Sequence, residues 1–259
     1  SADVQAELAM PTGLAAYDFG FGATFFDFEN DGDSDLYWLG STIARGQGPG
    51  GDLFPAAGRM LRADGRGSFE DITVRAQLLD IQHFDYSSVD PSDPKITARL
   101  TELMVAQHEN GKGLAHGDFN GDGYVDLIAT NSSGGILVEG GRTEFAKGPT
   151  FVWTNPGGDS HWLTLRLKGR MAIDGTGSNA DGIGARVFVA STSSGEVTTQ
   201  VAEVLGSSSF LSMSSLDLTF GLGEAAMVDS ITVFWPSGVR QVLRELQADQ
   251  AVTVEEPSK

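Results

Sequence analysis

Two stretches decide the fold: Gly20-Phe-Gly-Ala-Thr-Phe-Phe-Asp27-Phe-Glu-Asn-Asp-Gly-Asp-Ser-Asp35-Leu-Tyr-Trp-Leu39 and Gly111-Lys-Gly-Leu-Ala-His-Gly-Asp118-Phe-Asn-Gly-Asp-Gly-Tyr-Val-Asp126-Leu-Ile-Ala-Thr130. Each reads as an apolar strand, an acidic turn and a second apolar strand. Their likeness is an internal repeat, the mark of a propeller or a related array of small sheets. The turns begin at Asp27 and Asp118. That spacing is about twice the roughly 40–50 residues of a four-stranded blade, which predicts an insertion between them.

The residue types within the turns point to a hard cation. Calcium takes six to eight oxygen ligands, and a tight loop supplies them from alternate residues. In the second loop Asp118, Asn120 and Asp122 stand at positions 1, 3 and 5, and Gly123 at position 6 permits the sharp bend. Tyr124 would offer its backbone carbonyl, and Asp126 closes the loop from position 9. The first loop repeats the ladder with Asp27, Glu29, Asp31, Gly32, Asp33 and Asp35, and Asp33 would offer its carbonyl with its carboxylate facing outward. Two Ca2+ sites are expected. Neither loop has the bidentate Glu that closes an EF-hand from position 12, and strands rather than helices flank both. Magnesium fits less well, because it demands octahedral geometry and keeps its waters. Protein oxygens fill the expected shell, so the sites read as structural, and ion binding becomes folding free energy.

Outward from the loops, Met60 and Leu61 lead into a Gly-rich turn at 64–67, and Phe69 and Ile72 follow it, which predicts a hairpin over 59–73. Ile96, Leu100, Leu103 and Met104 fall at helical spacing, which predicts a short helical insertion near 95–108. Beyond Asn155-Pro-Gly-Gly158 the pattern changes to closely spaced short strands at 162–167, 185–190, 197–204, 216–220, 230–235 and 251–255. Such spacing predicts a β-sandwich. The expected organisation is therefore all-β: a partial propeller-like repeat region over 1–156, then a β-sandwich over 157–259.

Thirty-five acidic residues against 17 basic ones give a net charge of −18, which argues against nucleic acid and favours cations or basic protein surfaces. The chain has no cysteine, which excludes disulfides and thiolate chemistry. No apolar run is long enough for a transmembrane helix. His83, His108, His116 and His161 lack metal-ligand spacing, and no Gly-x-Ser-x-Gly elbow occurs. No catalytic residue and no organic-cofactor site is predicted. Asp174, Asn179 and Asp181 form a weaker third candidate in a Gly-rich turn.

At these residues the sequence resembles the FG-GAP/VCBS repeats of integrin-α-like propellers. The likeness rests on the Gly-x-Gly strands before Asp27 and Asp118, on the two acidic loops, and on the hairpin ending in Gly67-Ser-Phe-Glu-Asp-Ile-Thr73. The C-terminal part is similar to an ASPIC/UnbV domain at 161–167, 178–187, 206–215, 220–223, 235–238 and 248–250. The pairing resembles cartilage-acidic-protein-like secreted proteins, which implies a calcium-binding, adhesion-type molecule that is secreted, periplasmic or on the cell surface. Such propellers have about seven blades, and about 155 residues precede the sandwich, so a partial ring is expected. Its open sheet edges near 1–20 and 76–110 would then need a protein partner. The leading expectation is a non-enzymatic scaffold for protein–protein contact. The alternatives are an accessory subunit of a larger envelope or membrane-associated complex, and a carbohydrate-active enzyme using calcium.

Overall fold

The structure is a computed structural model that describes residues 20–45, 52–55, 57–90, 92–93, 110–132, 134–138 and 142–258. The expected helix near 95–108 lies outside the described residues. Eleven strands form the N-terminal part: β1 (Gly20–Phe26), β2 (Asp35–Gly40), β3 (Thr42–Arg45), β4 (Asp52–Pro55), β5 (Arg59–Ala63), β6 (Phe69–Asp71), β7 (Gly111–Gly117), β8 (Asp126–Asn131), β9 (Gly134–Val138), β10 (Arg142–Ala146) and β11 (Thr150–Trp153). Seven more follow: β12 (His161–Lys168), β13 (Arg186–Ser193), β14 (Glu196–Glu203), β15 (Leu218–Gly223), β16 (Met227–Phe234), β17 (Arg240–Gln247) and β18 (Gln250–Glu255). Among the described residues, the helical elements are single 3-10 turns at Tyr86–Ser88 and Arg170–Ala172.

The internal repeat goes further than the loops. The first sheet has the antiparallel order β1-β2-β5-β6, and the second has the order β11-β8-β7. In both, strand, acidic loop and strand are followed by a two-stranded hairpin outside the sheet, β3–β4 in one and β9–β10 in the other. The chain then returns as the third strand, β5 or β11. Thus β1, β2 and β5 correspond to β7, β8 and β11. The predicted hairpin over 59–73 is β5–β6, turning through Gly65 and Gly67 at positive φ. Among the described residues, no sheet closes on itself.

Strands β1 and β7 lie side by side without ladder pairing. One core serves both sheets: Phe26, Tyr37, Leu39 and Met60 pack with Leu114, Val125, Leu127 and Ala129. Tyr37 is fully buried, and its hydroxyl donates to the Leu78 carbonyl at 2.7 Å. Burying these apolar side chains contributes about 1.5–3 kcal/mol each.

The C-terminal strands form two sheets, β15-β12-β18 and β14-β13-β16-β17. Pairing is antiparallel except between β12 and β18, which run parallel. The two sheets share a second core that includes Leu163, Leu165, Val187, Phe220, Ile231, Trp235 and Val254. Six of the seven strands fall where the hydrophobic pattern places them. The seventh, β17, was not expected. It is an edge strand with mostly exposed side chains, and a residue at positive φ, Glu245, interrupts its alternation.

The chain itself covers part of the edge left open by the two N-terminal sheets. Residues 206–215 cross from the C-terminal sheets onto β1 and β7. Ala23 N donates to Ser209 Oγ at 3.1 Å, His116 N to Ser214 Oγ at 3.2 Å, and Ser215 N to the His116 carbonyl at 2.9 Å. Phe21 and Phe210 meet with ring centroids 4.7 Å apart.

Candidate metal centre

The two acidic loops connect β1 to β2 and β7 to β8, and they share one backbone. Positions 4 and 6 take positive φ in both: Asn30 and Gly32 in the first, Gly121 and Gly123 in the second. Glycine reaches this region without penalty, and asparagine is among the few other residues that tolerate it.

Most of the hydrogen bonds repeat at equivalent positions, with one bond at position 1, from Gly121 N to Asp118 at 2.7 Å, made in loop two alone. The carboxylate at position 1 accepts from the N–H groups of positions 5 and 6. Asp27 takes Asp31 at 3.1 Å and Gly32 at 2.8 Å; Asp118 takes Asp122 at 3.2 Å and Gly123 at 2.8 Å. The carboxylate at position 5 accepts from position 7, Asp31 from Asp33 and Asp122 from Tyr124, both at 2.9 Å. The position-9 carboxylate reaches back to position 2, where Phe28 N and Phe119 N donate to Asp35 and Asp126 at 2.8 Å. Its other oxygen fastens the loop to the end of the third strand in the first sheet and to the residues just past the third strand in the second. Ala63 N donates to Asp35 at 2.7 Å, and Asn155 N donates to Asp126 at 2.8 Å. Asp35 and Asp126 are each 1% exposed. Burying a carboxylate demands such partners.

Positions 3 and 7 differ. Asn120 is exposed; it accepts from Asp122 N at 3.1 Å and donates to the Asp122 carboxylate at 2.8 Å. Glu29 instead folds back toward Asp31 and Asp35, with Arg62 Nε 3.6 Å from its Oε1. Its Oε2 is enclosed and has no hydrogen-bond partner. At position 7, Tyr124 donates from its hydroxyl to the Ser160 carbonyl at 3.0 Å. Asp33 is half-buried and leans on the β5–β6 turn, where a Cβ on Gly65 would come within 2.4 Å of its carboxylate. Its carboxylate is thus less free than the outward-facing one expected.

Electrostatics in the first loop follow from this crowding. Burial, with the charges of Asp31 and Asp35 added, pushes Asp27 up to about 7 against the pull of its backbone donors. Burial and the same two neighbours push Glu29 up to about 8, despite Arg62. Asp33 rises through burial and the charges of Asp31 and Asp64. Asp35 rises through burial, while the N–H groups of Phe28 and Ala63 hold it down. The loop gathers more negative charge than its surroundings neutralise.

Among the described residues, no three His, Asp or Glu side chains converge closely enough to hold a metal as they stand. The carboxylates are turned onto the N–H groups of their own loop. Each carboxylate oxygen carries two lone pairs, so an N–H bond leaves capacity for a cation. The unpartnered Glu29 oxygen and the raised carboxylates of loop one fit a cation of the calcium type.

Both loops face the C-terminal sheets across a cleft of about 410 Å3 whose lining includes Asp27, Asp33, His116, Asp118, Gln200 and Glu203. His116 joins β1, β7 and the 206–215 crossing, since its Nδ1 lies 2.6 Å from Thr24 Oγ1 and 3.1 Å from Ser214 Oγ. Burial lowers its pKa to about 4. Two asparagines that the residue pattern did not single out hold the junction. Asn155 donates to the Phe28 carbonyl at 2.8 Å, and Asn30, 0% exposed, donates to the Gly123 carbonyl at 3.1 Å.

The third candidate turn is organised differently. Asp174 accepts from Thr176 and pairs with Arg170, while Asn179 bonds both backbone groups of Ile183. The side chain that gathers this turn is Glu256, which accepts from Arg170 N, Ser178 N, Ser178 Oγ and Ser237 Oγ. Burial raises its pKa, but these donors outweigh burial and leave it below the usual value. His161 pairs with Asp249 at 2.7 Å. Of the four tryptophans, Trp235 is buried, whereas Trp38, Trp153 and Trp162 are half-buried.

Residues 110–145 match the family model of the FG-GAP repeat, and residues 175–259 match that of ASPIC and UnbV. The FG-GAP match covers loop two; loop one shares its hydrogen bonds. No curated protein matches the chain, so the likeness to cartilage-acidic-protein-like proteins stays an expectation. FG-GAP repeats are typical of extracellular proteins and often mediate protein interactions. Together the two matched families fit an extracellular adhesion-type scaffold. No helix among the described residues is long and apolar enough to cross a membrane.

Proposed function

We propose that this chain is a calcium-stiffened scaffold for protein–protein contact outside the cytoplasm, with one Ca2+ in each acidic loop. Asp27, Glu29, Asp31, Asp33 and Asp35 would hold the first ion, and Asp118, Asn120, Asp122, Tyr124 and Asp126 the second. The single observation that carries the reading is the repetition of the hydrogen bonds accepted by the carboxylates at positions 1, 5 and 9 in both loops. Two loops with one backbone each place carboxylates at positions 1, 5 and 9, the last of them buried in both, and both would gain from a cation.

Calcium would supply charge neutralisation and rigidity, and the protein partner would meet the sheet edges that remain open. Thermal melting in calcium and in EGTA tests the proposal. An ion at 100 times its dissociation constant stabilises by about 2.7 kcal/mol per site, and each kcal/mol moves the midpoint by roughly 2–4 °C at this size. EGTA should therefore lower the midpoint by roughly 10 °C or more. An unchanged melt sinks the reading.

One observation favours the enzyme alternative: the cleft holds a half-buried imidazole, His116, beside the Ser214 and Thr24 hydroxyls. A base of pKa about 4 is too weak to take a proton efficiently at neutral pH. The same contacts read as a strut between β1, β7 and the crossing segment. A calcium-dependent glycosidase or lyase activity abolished by His116→Gln would reverse this preference.

A further inference from the structure

The acidic loops are also the surface on which the C-terminal sheets sit. Gly223 N, at the end of β15, donates to the Asn30 carbonyl at 2.8 Å. Two residues earlier, a Cβ on Gly221 would fall 2.1 Å from Asp27 Oδ2 and 2.4 Å from the Asn30 backbone. Gln200 of β14 donates to the Gly221 carbonyl at 2.5 Å, and a Cβ on Gly32 would lie 3.4 Å from its Nε2. In loop two, a Cβ on Gly123 would strike the Trp162 ring at 1.9 Å. Tyr124 reaches the Ser160 carbonyl just before β12. Asn30 ties the two loops together through the Gly123 carbonyl. Both position-6 glycines thus present bare backbone to the C-terminal sheets, one to β14 and β15 and the other to β12.

We propose that ion occupancy of the two loops sets how firmly the C-terminal sheets dock on the repeat sheets, so that calcium switches the molecule between a hinged and a rigid state. The inference rests on the calcium reading above and adds a regulatory role to those sites. Without an ion, the self-repelling carboxylates of loop one loosen the backbone at 30–32 that meets Gly221, Gly223 and Gln200. With the ion, that backbone is fixed and the contact becomes a rigid seat. The crossing segment 206–215 keeps the two parts tethered in either state. Linkage makes the effect reciprocal: if calcium favours docking, docking favours calcium.

The chain has no cysteine, so spin labels at Ser68→Cys and Thr199→Cys, both exposed positions on opposite sides of the contact, report its geometry by pulsed electron resonance. The full chain should give a narrow distance distribution in calcium and one about twofold broader in EGTA. Gln200→Ala leaves all ten candidate ligands in place and removes the β14 side chain from the contact with Gly32 and Gly221. It should give the broad distribution in both conditions and weaken calcium binding roughly tenfold by calorimetry. Asn30→Gly keeps the left-handed backbone and removes the side-chain bridge to loop two at Gly123 and Tyr124, so it should act in the same direction more weakly; it also serves if the alanine variant misfolds. Intact calcium binding with the same narrow distribution in calcium and EGTA overturns the docking switch and leaves the calcium reading standing. Absence of calcium binding removes both.

Discussion

Loop one and loop two share a backbone, four equivalent sets of hydrogen bonds and an anchoring carboxylate at position 9, yet they carry different charge. Loop one has acidic side chains at positions 1, 3, 5, 7 and 9; loop two has them at 1, 5 and 9, with Asn120 and Tyr124 between. What differs is the dependence on a cation. In loop two, Asn120 bonds within the loop and Tyr124 anchors outside it. In loop one, Glu29 ends in an unpartnered oxygen, and Asp27, Glu29, Asp33 and Asp35 all hold their protons more tightly than usual. Identical geometry therefore does not mean identical energetics. On the calcium proposal, loop one would be the stronger ion trap and the weaker empty loop.

Removing the position-9 carboxylate tests the shared half of this comparison and should have the largest effect. Asp35→Ala and Asp126→Ala each strip two backbone N–H groups of a charged partner, at about 2–4 kcal/mol by chemical denaturation. If either variant is neutral, that carboxylate does not hold its loop at or just past the end of the third strand.

The pH dependence of the ion-free chain tests the unshared half. A carboxylate whose folded-state pKa lies above its unfolded value stabilises the fold below the unfolded value and loses that contribution as pH rises through the folded one. Asp27 at about 7 and Glu29 at about 8 therefore lower stability as pH rises from about 5 to 8 in EGTA. With solvent screening of these half-exposed groups, the combined fall is about 1–2 kcal/mol. Saturating calcium should flatten it. A loss of stability in the opposite direction would contradict the charge assignment of loop one.

Exchanging position 3 should give the smallest and most diagnostic change. Glu29→Asn makes loop one resemble loop two; it should raise ion-free stability by about 0.5–1 kcal/mol and weaken calcium binding. Asn120→Glu should do the reverse. Matching responses in melting and titration would support position 3 as the source of the difference, and no response in either variant would remove it.

Much of this was legible in the sequence, because the loops and strands have local causes. Alternate oxygen-bearing residues around Gly32 and Gly123 announce the turns, and period-2 hydrophobicity announces most of the strands. The hairpins β3–β4 and β9–β10 were not legible, since four or five residues carry too little pattern. Strand β17 hides because its side chains are mainly exposed and Glu245 breaks the alternation. Glu256, Asn30 and Asn155 look like ordinary polar residues near turns or a chain end. Their roles depend on partners up to 127 residues away in the chain, which no local spacing reveals. The crossing of 206–215 onto β1 and β7 is likewise a tertiary event that no local spacing reveals.

The most direct measurement is the calcium stoichiometry of the intact chain by equilibrium dialysis, alone and with Asp27→Asn or Asp118→Asn. The account predicts two ions per chain and one in each variant, with the tighter ion lost from Asp27→Asn. No bound calcium at millimolar concentration, or two ions retained in both variants, would contradict it.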